Sequence, residues 1–351
     1  MSPVSVDRVG TYFRQAAPLI SSILPPARVV FQVKLEGSAR KLVTIRSALI
    51  VTNLLPYPIE LKLDNSAFER QRSAENVIGD NIEIASLSMK PKAIVSIPLN
   101  YVWARIFARP ASGGIGQWKY SDKPINWYHI MSSNDNSMDV HASAHGWNSK
   151  KEASRFCVSV KRLNYPIESS MTVESSTHNS KDTDAVSSST WIQPAHLVTF
   201  MSPMMIENLL PCHLSYQVKS SSPQENVGIN IAPGKQSYLS VDIATQTTIC
   251  FSLDMFPGHT DLNISPSDSF ETQLKFLDNQ SRSLNLSVKV ECKLGGSIHV
   301  TLLSPYWLVN KTGLPLIFKE EGNSADIQEA AGQEDEHEGK PVTAYMISIV
   351  P

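Results

Sequence analysis

Asp139, His141 and His145 are the closest this sequence comes to a metal-binding run. Two imidazoles four residues apart, beside a carboxylate, offer three donors of the kind zinc accepts. A closed zinc site takes four ligands, and an open catalytic one needs partners that orient each ligand. No fourth donor follows at a usable spacing, so a solvated loop is the expected reading. Cys157, Cys212, Cys250 and Cys292 lie far from one another, which excludes a CxxC-type knuckle. They are expected as small buried residues, with two disulfides as the alternative that an even number leaves open. Phosphate-cradling loops, dinucleotide fingerprints, nucleophile elbows and HExxH helices are all absent. Glu320-Glu321 and the acidic run 334–338 read as a solvated face rather than as paired catalytic carboxylates. The sequence nominates no catalytic residue, no metal ligand and no cofactor, and no enzyme is expected.

The aromatic residues are the other source of chemistry. Of six tryptophans, Trp118, Trp127 and Trp147 fall in one loop-like stretch running from Gly113 to Trp147. They either anchor that long loop onto a core or present a patch for a partner, and they are the candidate partner-binding residues. Trp103 and Trp307 sit in strand-like runs and are expected in the core.

What must position these residues is a β-rich scaffold. The chain has 351 residues, 42% of them hydrophobic and only 18% charged, with a formal charge of −2. That is enough apolar material for real cores, and the shortage of charge is made up by Ser, Thr, Asn, Val and Ile, which favour strands and turns. No basic block exists to track phosphates, so nucleic acid is excluded as a partner. No run approaches the roughly 18 apolar residues of a membrane span. Asn263, Asn279, Asn285 and Asn310 stand in N-x-[ST] sequons, but no export signal opens the chain, and a cytosolic protein is expected. Only Val9 to Leu24 offers room for a helix.

Three segments repeat one pattern: Ser47-Ala-Leu-Ile-Val-Thr-Asn53-Leu-Leu-Pro-Tyr-Pro-Ile59, Ser202-Pro-Met-Met-Ile-Glu-Asn208-Leu-Leu-Pro-Cys-His-Leu214 and Ser304-Pro-Tyr-Trp-Leu-Val-Asn310-Lys-Thr-Gly-Leu-Pro-Leu316. Each is an apolar strand, an Asn, a short turn and a second apolar strand, in register without gaps. Asn is a poor strand residue, so Asn53, Asn208 and Asn310 need a structural reason. A side-chain amide that shapes an Asx-type turn supplies it. Alternating runs such as Arg155–Lys161 and Ser283–Lys289 close each unit. The expected organisation is a lead-in at 1–27, a first β unit at 28–165 with the Trp-rich insertion, and a Ser/Thr-rich loop at 166–190 too polar to fold. A second unit follows at 191–295, and a partial third unit with an acidic tail at 296–351. The fold class is therefore all-β, in tandem antiparallel sandwich-like repeats with an elongated arrangement.

Arg40–Leu49 leading into Asn53, the Ser304–Leu316 motif, Ala330-Ala-Gly-Gln333 and the lead-in Asp7–Arg14 carry a resemblance. They resemble the adaptor-binding domain of the chorein family, bridge-like lipid-transfer proteins of the vacuolar-protein-sorting type, and most of all its D-type branch. In that family six β repeats, each with one such Asn, form a platform for short proline-containing motifs of organelle adaptors. The resemblance implies a non-catalytic targeting module and carries Asn53, Asn208 and Asn310 over as repeat asparagines. It also implies protein adaptors as partners, with a Miro-type mitochondrial GTPase for the D-type branch. The protein would then be cytoplasmic and peripheral at contacts between endoplasmic reticulum and mitochondria. Only about two and a half repeats are present, and the family's motif groove lies in later ones, so this segment is expected chiefly to stabilise the platform. Residues 339–351 depart from the family pattern. A second class, an extracellular adhesion or carbohydrate-binding sandwich, is disfavoured by the missing export signal and disulfide pattern.

Overall fold

A computed structural model of the chain describes residues 4, 6–16, 26–65, 84–111, 118–128, 137–145, 153–163, 195–219, 228–254, 256–266, 268–279, 283–304, 306–310 and 343–347. The Ser/Thr-rich loop at 166–190 lies outside them, as does Trp147. The chain divides into two compact units, Met1–Ser202 and Pro203–Pro351. Both are built of strands, and the helical structure among the described residues is confined to short 3-10 turns. No helix among the described residues is long and apolar enough to cross a membrane.

The first unit opens with a meander of β1 (Gly10–Ala16), β2 (Ala27–Glu36) and β3 (Arg40–Ser47). The room for a helix between Val9 and Leu24 is thus taken, over its first half, by a strand. Thr11, Tyr12 and Phe13 suit a pleat, and β1 pairs along its whole length with β2, Gly10 opposite Val33 and Ala16 opposite Ala27. The unit continues with β4 (Leu49–Asn53), β5 (Ile59–Asp64), β6 (Ala85–Met89), β7 (Ile94–Ser96), β8 (Arg105–Pro110), β9 (Ser137–His145), β10 (Ala153–Leu163) and β11 (Ala195–Met201). These form two sheets, one in the order β7-β4-β11-β10-β9 and one in the order β6-β5-β8. Inward residues alternate along each strand, Leu49, Val51 and Asn53 on β4 and Ile59, Leu61 and Leu63 on β5. Their side chains meet Ile106, Phe156, Val158, Val198 and Phe200 in one core.

The second unit holds β12 (Met204–Asn208), β13 (Leu214–Lys219), β14 (Ile229–Ile231), β15 (Gln236–Leu239), β16 (Thr247–Leu253), β17 (Phe256–Ile264), β18 (Phe270–Leu277), β19 (Ser283–Cys292) and β20 (Ile298–Leu303). Its sheets run β15-β12-β20-β19-β18 and β14-β13-β16-β17. Apart from β17, which has no strand counterpart, this is the order of the first unit, so the repeat read around Asn53 and Asn208 is a repeat of topology. A final pair, β21 (Tyr306–Asn310) and β22 (Thr343–Ile347), is antiparallel, with Asn310 opposite Thr343.

Two features differ from the sequence expectation. Each five-stranded sheet contains one parallel pair, β4 with β11 and β12 with β20, so the sheets are mixed rather than purely antiparallel. And β11, counted with the second unit from residue 191 onward, hydrogen-bonds in the first unit's sheet; β20, counted from 296 with the third, does so in the second's. The cause is the crossover. After β4 the chain leaves for the facing sheet and returns, and the closing strand comes back alongside β4 in the same direction.

Candidate functional site

Asn53 ends β4 where the chain leaves one sheet for the other, and a crossing strand leaves backbone groups without ladder partners. Its side chain takes them up. Oδ1 accepts from Leu55 N–H at 3.0 Å, which is the Asx turn. Nδ2 donates to the carbonyls of Tyr57 at 3.1 Å, Met89 at 3.3 Å and Lys90 at 3.2 Å. One buried amide therefore ties the β4–β5 crossing to the β6–β7 crossing. Asn208 does the same in the second unit: Oδ1 accepts from Leu210 N–H at 3.0 Å, and Nδ2 donates to Cys212 O and Ile231 O, each at 2.9 Å. Both residues are fully buried. Asn310 stands at the same place, the end of β21, and its side chain lies outside the description.

The backbone around each Asn repeats as well. The carbonyl of Asn53 accepts from Lys92 N–H at 2.7 Å, and that of Asn208 from Gly234 N–H at 2.8 Å. Lys92 and Gly234 occupy the same turn position with positive φ, 62° and 67°. Each follows a proline, Pro91 or Pro233, and in each turn the next N–H bonds back three residues, Ala93 to Lys90 and Lys235 to Ala232. This is a turn with Pro at its second position and a left-handed residue at its third, where Gly is unstrained and Lys is not.

Of the three candidate tryptophans, Trp118 and Trp127 fall among the described residues, and both belong to the first unit's core cluster. Trp127 is 1% exposed; its indole N–H donates to Val102 O at 2.6 Å, and its ring packs at 5.2 Å from Trp103 and 4.6 Å from His196. So enclosed, it fits the anchoring alternative of the two sequence readings. Trp118 is half-buried and lies in the segment that closes the sandwich. Lys119 N–H bonds to His145 O and Asp122 N–H to Ser143 O on β9, while Ser121 N–H bonds to Ala108 O on β8. In the second unit β17 fills this position, paired with β16 and bonded through Thr260 Oγ1 to Lys275 O on β18. Residues 118–125 are thus the first unit's counterpart of β17 rather than an appendage.

Sequence reasoning missed the outer face of β5 and β8. There Arg109 Nε and Nη2 both donate to Glu60 Oε2, at 2.9 and 2.7 Å. Tyr120 OH donates to Glu60 Oε1 at 2.9 Å, and the Arg109 guanidinium lies 4.2 Å over the Tyr120 ring. Arg109 Nη1 also donates to the Trp118 carbonyl. Arg105 pairs with Asp64 at 2.9 Å, and Lys62 lies over the rings of Phe107 and Tyr120. Burial first, and then the Glu60 carboxylate, push the Tyr120 phenol up to about 12 against the opposing pull of Arg109. The signal was legible: Glu60-x-Lys62-x-Asp64 and Arg105-x-Phe107-x-Arg109 alternate with apolar residues, which places them all on one outward face.

The metal reading of Asp139, His141 and His145 gains nothing. All three lie on β9, and among the described residues no group of three His, Cys, Asp or Glu side chains is arranged to hold an ion. The four cysteines are free thiols. Buried chiefly by packing and then facing Asp254, Cys212 is pushed up to about 11, away from reactive thiolate character.

The family model described as vacuolar-sorting associated protein 13, adaptor binding domain, matches residues 1–350. The chain is 33% identical over 362 residues to the human intermembrane lipid transfer protein VPS13D, covering 96% of this chain and 8% of that protein. It is 28% identical over 352 residues to Vps13D of Drosophila melanogaster, covering 99% of this chain and again 8% of the relative. A 147-residue stretch is 26% identical to vps13D of Dictyostelium discoideum, over 36% of this chain. The chain spans under a tenth of the length of these relatives.

Proposed function

Because this chain belongs to the family of the vacuolar-sorting associated protein 13 adaptor-binding domain, we propose that it is a non-catalytic targeting module that binds protein adaptors. It thereby brings a lipid-transfer protein to membrane contact sites. The observation that carries this reading is the family match over residues 1–350, seated on a topology that repeats in both units. Relatives named intermembrane lipid transfer proteins support the cargo. Their D-type character makes a Miro-type GTPase on mitochondria the first adaptor to test, with contacts between endoplasmic reticulum and mitochondria as the place.

The contact surface we assign is the outer face of β5 and β8. It offers Tyr120 and Arg109, residue types that dominate binding energy at interfaces, both held by Glu60, with Trp118, partly buried against the core, joined to it through the bond from Arg109 to its carbonyl. Trp147 extends the candidate set on sequence grounds alone.

Titration of the 351-residue protein with proline-containing peptides, one of them from a Miro-type protein, tests the reading. Saturable binding at micromolar concentration is expected, beyond the platform role expected of this segment from sequence, and weakened at least tenfold by Trp118→Ala or Arg109→Ala in variants that circular dichroism shows to be folded. Absence of binding to every such peptide would overturn the function. Binding indifferent to both substitutions would overturn the surface.

A further inference from the structure

The meander β1-β2-β3 has two counterparts in this chain, β9-β10-β11 and β18-β19-β20. All three are antiparallel and all lead directly into an Asn-ended strand, β4, β12 or β21. Registers agree: Val33 pairs with Val43, Val160 with Val198, and Val290 with Val300. The third strands also read alike, Leu42-Val-Thr-Ile-Arg-Ser47 beside Leu197-Val-Thr-Phe-Met-Ser202 and His299-Val-Thr-Leu-Leu-Ser304.

One thing separates them. The outer edges of β11 and β20 each carry an Asn-ended strand in parallel, with Val198 opposite Val51 and Phe200 opposite Asn53, and Val300 opposite Ile206 and Leu302 opposite Asn208. The residue after each Asn then donates to the closing strand, Leu54 N–H to Phe200 O at 2.8 Å and Leu209 N–H to Leu302 O at 2.9 Å. In its own sheet β3 is an edge strand, with β2 on one side and no strand on the other among the described residues. Burial follows the difference. Val198, Phe200, Val300 and Leu302 are wholly buried, whereas their counterparts Val43 and Ile45 are 37% and 62% exposed.

We propose that β1-β2-β3 is the closing half of a further repeat, and that the outer edge of β3 docks the opening half of such a repeat in parallel. The occupant is a partner of defined chemistry: an apolar-x-apolar-x-Asn strand followed by the Leu-containing turn. Its Asn lies opposite Ile45, its preceding apolar residue lies opposite Val43, and the N–H after its Asn bonds to the Ile45 carbonyl. Two pairings in the same chain fix strand direction, register and the identity of the facing residue. Backbone bonds to an open edge supply affinity, and the fit of Val43 and Ile45 supplies register. This is independent of where an adaptor binds.

The test uses the 351-residue protein and, as probe, a synthetic peptide of this chain's own residues 202–216 with Cys212→Ser to prevent oxidation. Expected is saturable binding with amide exchange slowed at least tenfold across Val43–Ile45 and unchanged in β11 and β20. Ile45→Lys in the protein should weaken binding at least tenfold while leaving the thermal midpoint unchanged, because Ile45 is exposed. Asn208→Ala in the peptide should also weaken it. Absence of binding, or binding that ignores Ile45→Lys, would overturn the proposal. So would protection of β3 that grows with protein concentration without peptide, which would make a second copy the occupant.

Discussion

At the scale of the residue, the repeat is held by an amide whose every polar atom is used. Replacing Asn208 with Ala removes the partner of the buried Leu210 N–H and Ile231 carbonyl and of the part-buried Cys212 carbonyl. The expected loss is about 1–3 kcal/mol, measured by denaturant titration. Asp should be no better, since it keeps the acceptor but sets a carboxylate against two carbonyls. Lys92 is the opposite case, a residue strained where its counterpart is Gly234. Lys92→Gly should raise stability by about 0.5–1 kcal/mol, the relief of the left-handed backbone less the entropy that glycine adds to the unfolded chain. The raised Cys212 thiol and Tyr120 phenol fix a pH dependence. Below their ordinary values both states are protonated; above them the unfolded chain releases protons that the folded chain keeps. Stability must then fall as pH climbs from about 9 toward about 12. Thermal midpoints from pH 8 to 11.5 should decline, and Cys212→Ala should flatten the earlier part of that decline.

Elements show how one plan tolerates two sequences. The facing sheet of the second unit is completed by the regular strand β17, whereas the first unit completes it with residues 118–125 and the isolated Ile106–Ile125 bridge. An irregular segment needs an anchor that a ladder does not, and Trp127 provides it by filling the core beside Trp103. Trp127→Ala should cost about 3–5 kcal/mol through the cavity it leaves. Trp118→Ala, at a half-buried site, should cost under about 1 kcal/mol. Equal losses at the two positions, read by thermal unfolding, would contradict this division between anchor and surface.

For the whole molecule, the division into two compact units predicts separable unfolding. Five of the six tryptophans, Trp103, Trp118, Trp127, Trp147 and Trp191, belong to the first unit, so indole emission reports mainly on it. Asn208→Ala should therefore lower a calorimetric transition while the emission midpoint stays in place. A common shift of both would show that the units melt as one.

The sequence by itself determined the strands and the Asn-ended turns at Asn53 and Asn208. Those features are local: alternation over six residues fixes which side chains face inward, and an Asn followed by Leu-Leu-Pro fixes its own turn. Tertiary structure alone decided that Asn53 reaches Met89 and Lys90, that β11 and β20 close the units before them, and that Trp127 is enclosed. Each of those depends on a pairing across 25 or more residues. Nothing in local spacing encodes such pairings, because the partner becomes adjacent only after the chain has crossed from one sheet to the other. The edge of β3 belongs with them: Val43-Thr-Ile45 reads like Val198-Thr-Phe200, and what distinguishes the exposed strand from the buried one is that no strand among the described residues pairs with its outer side.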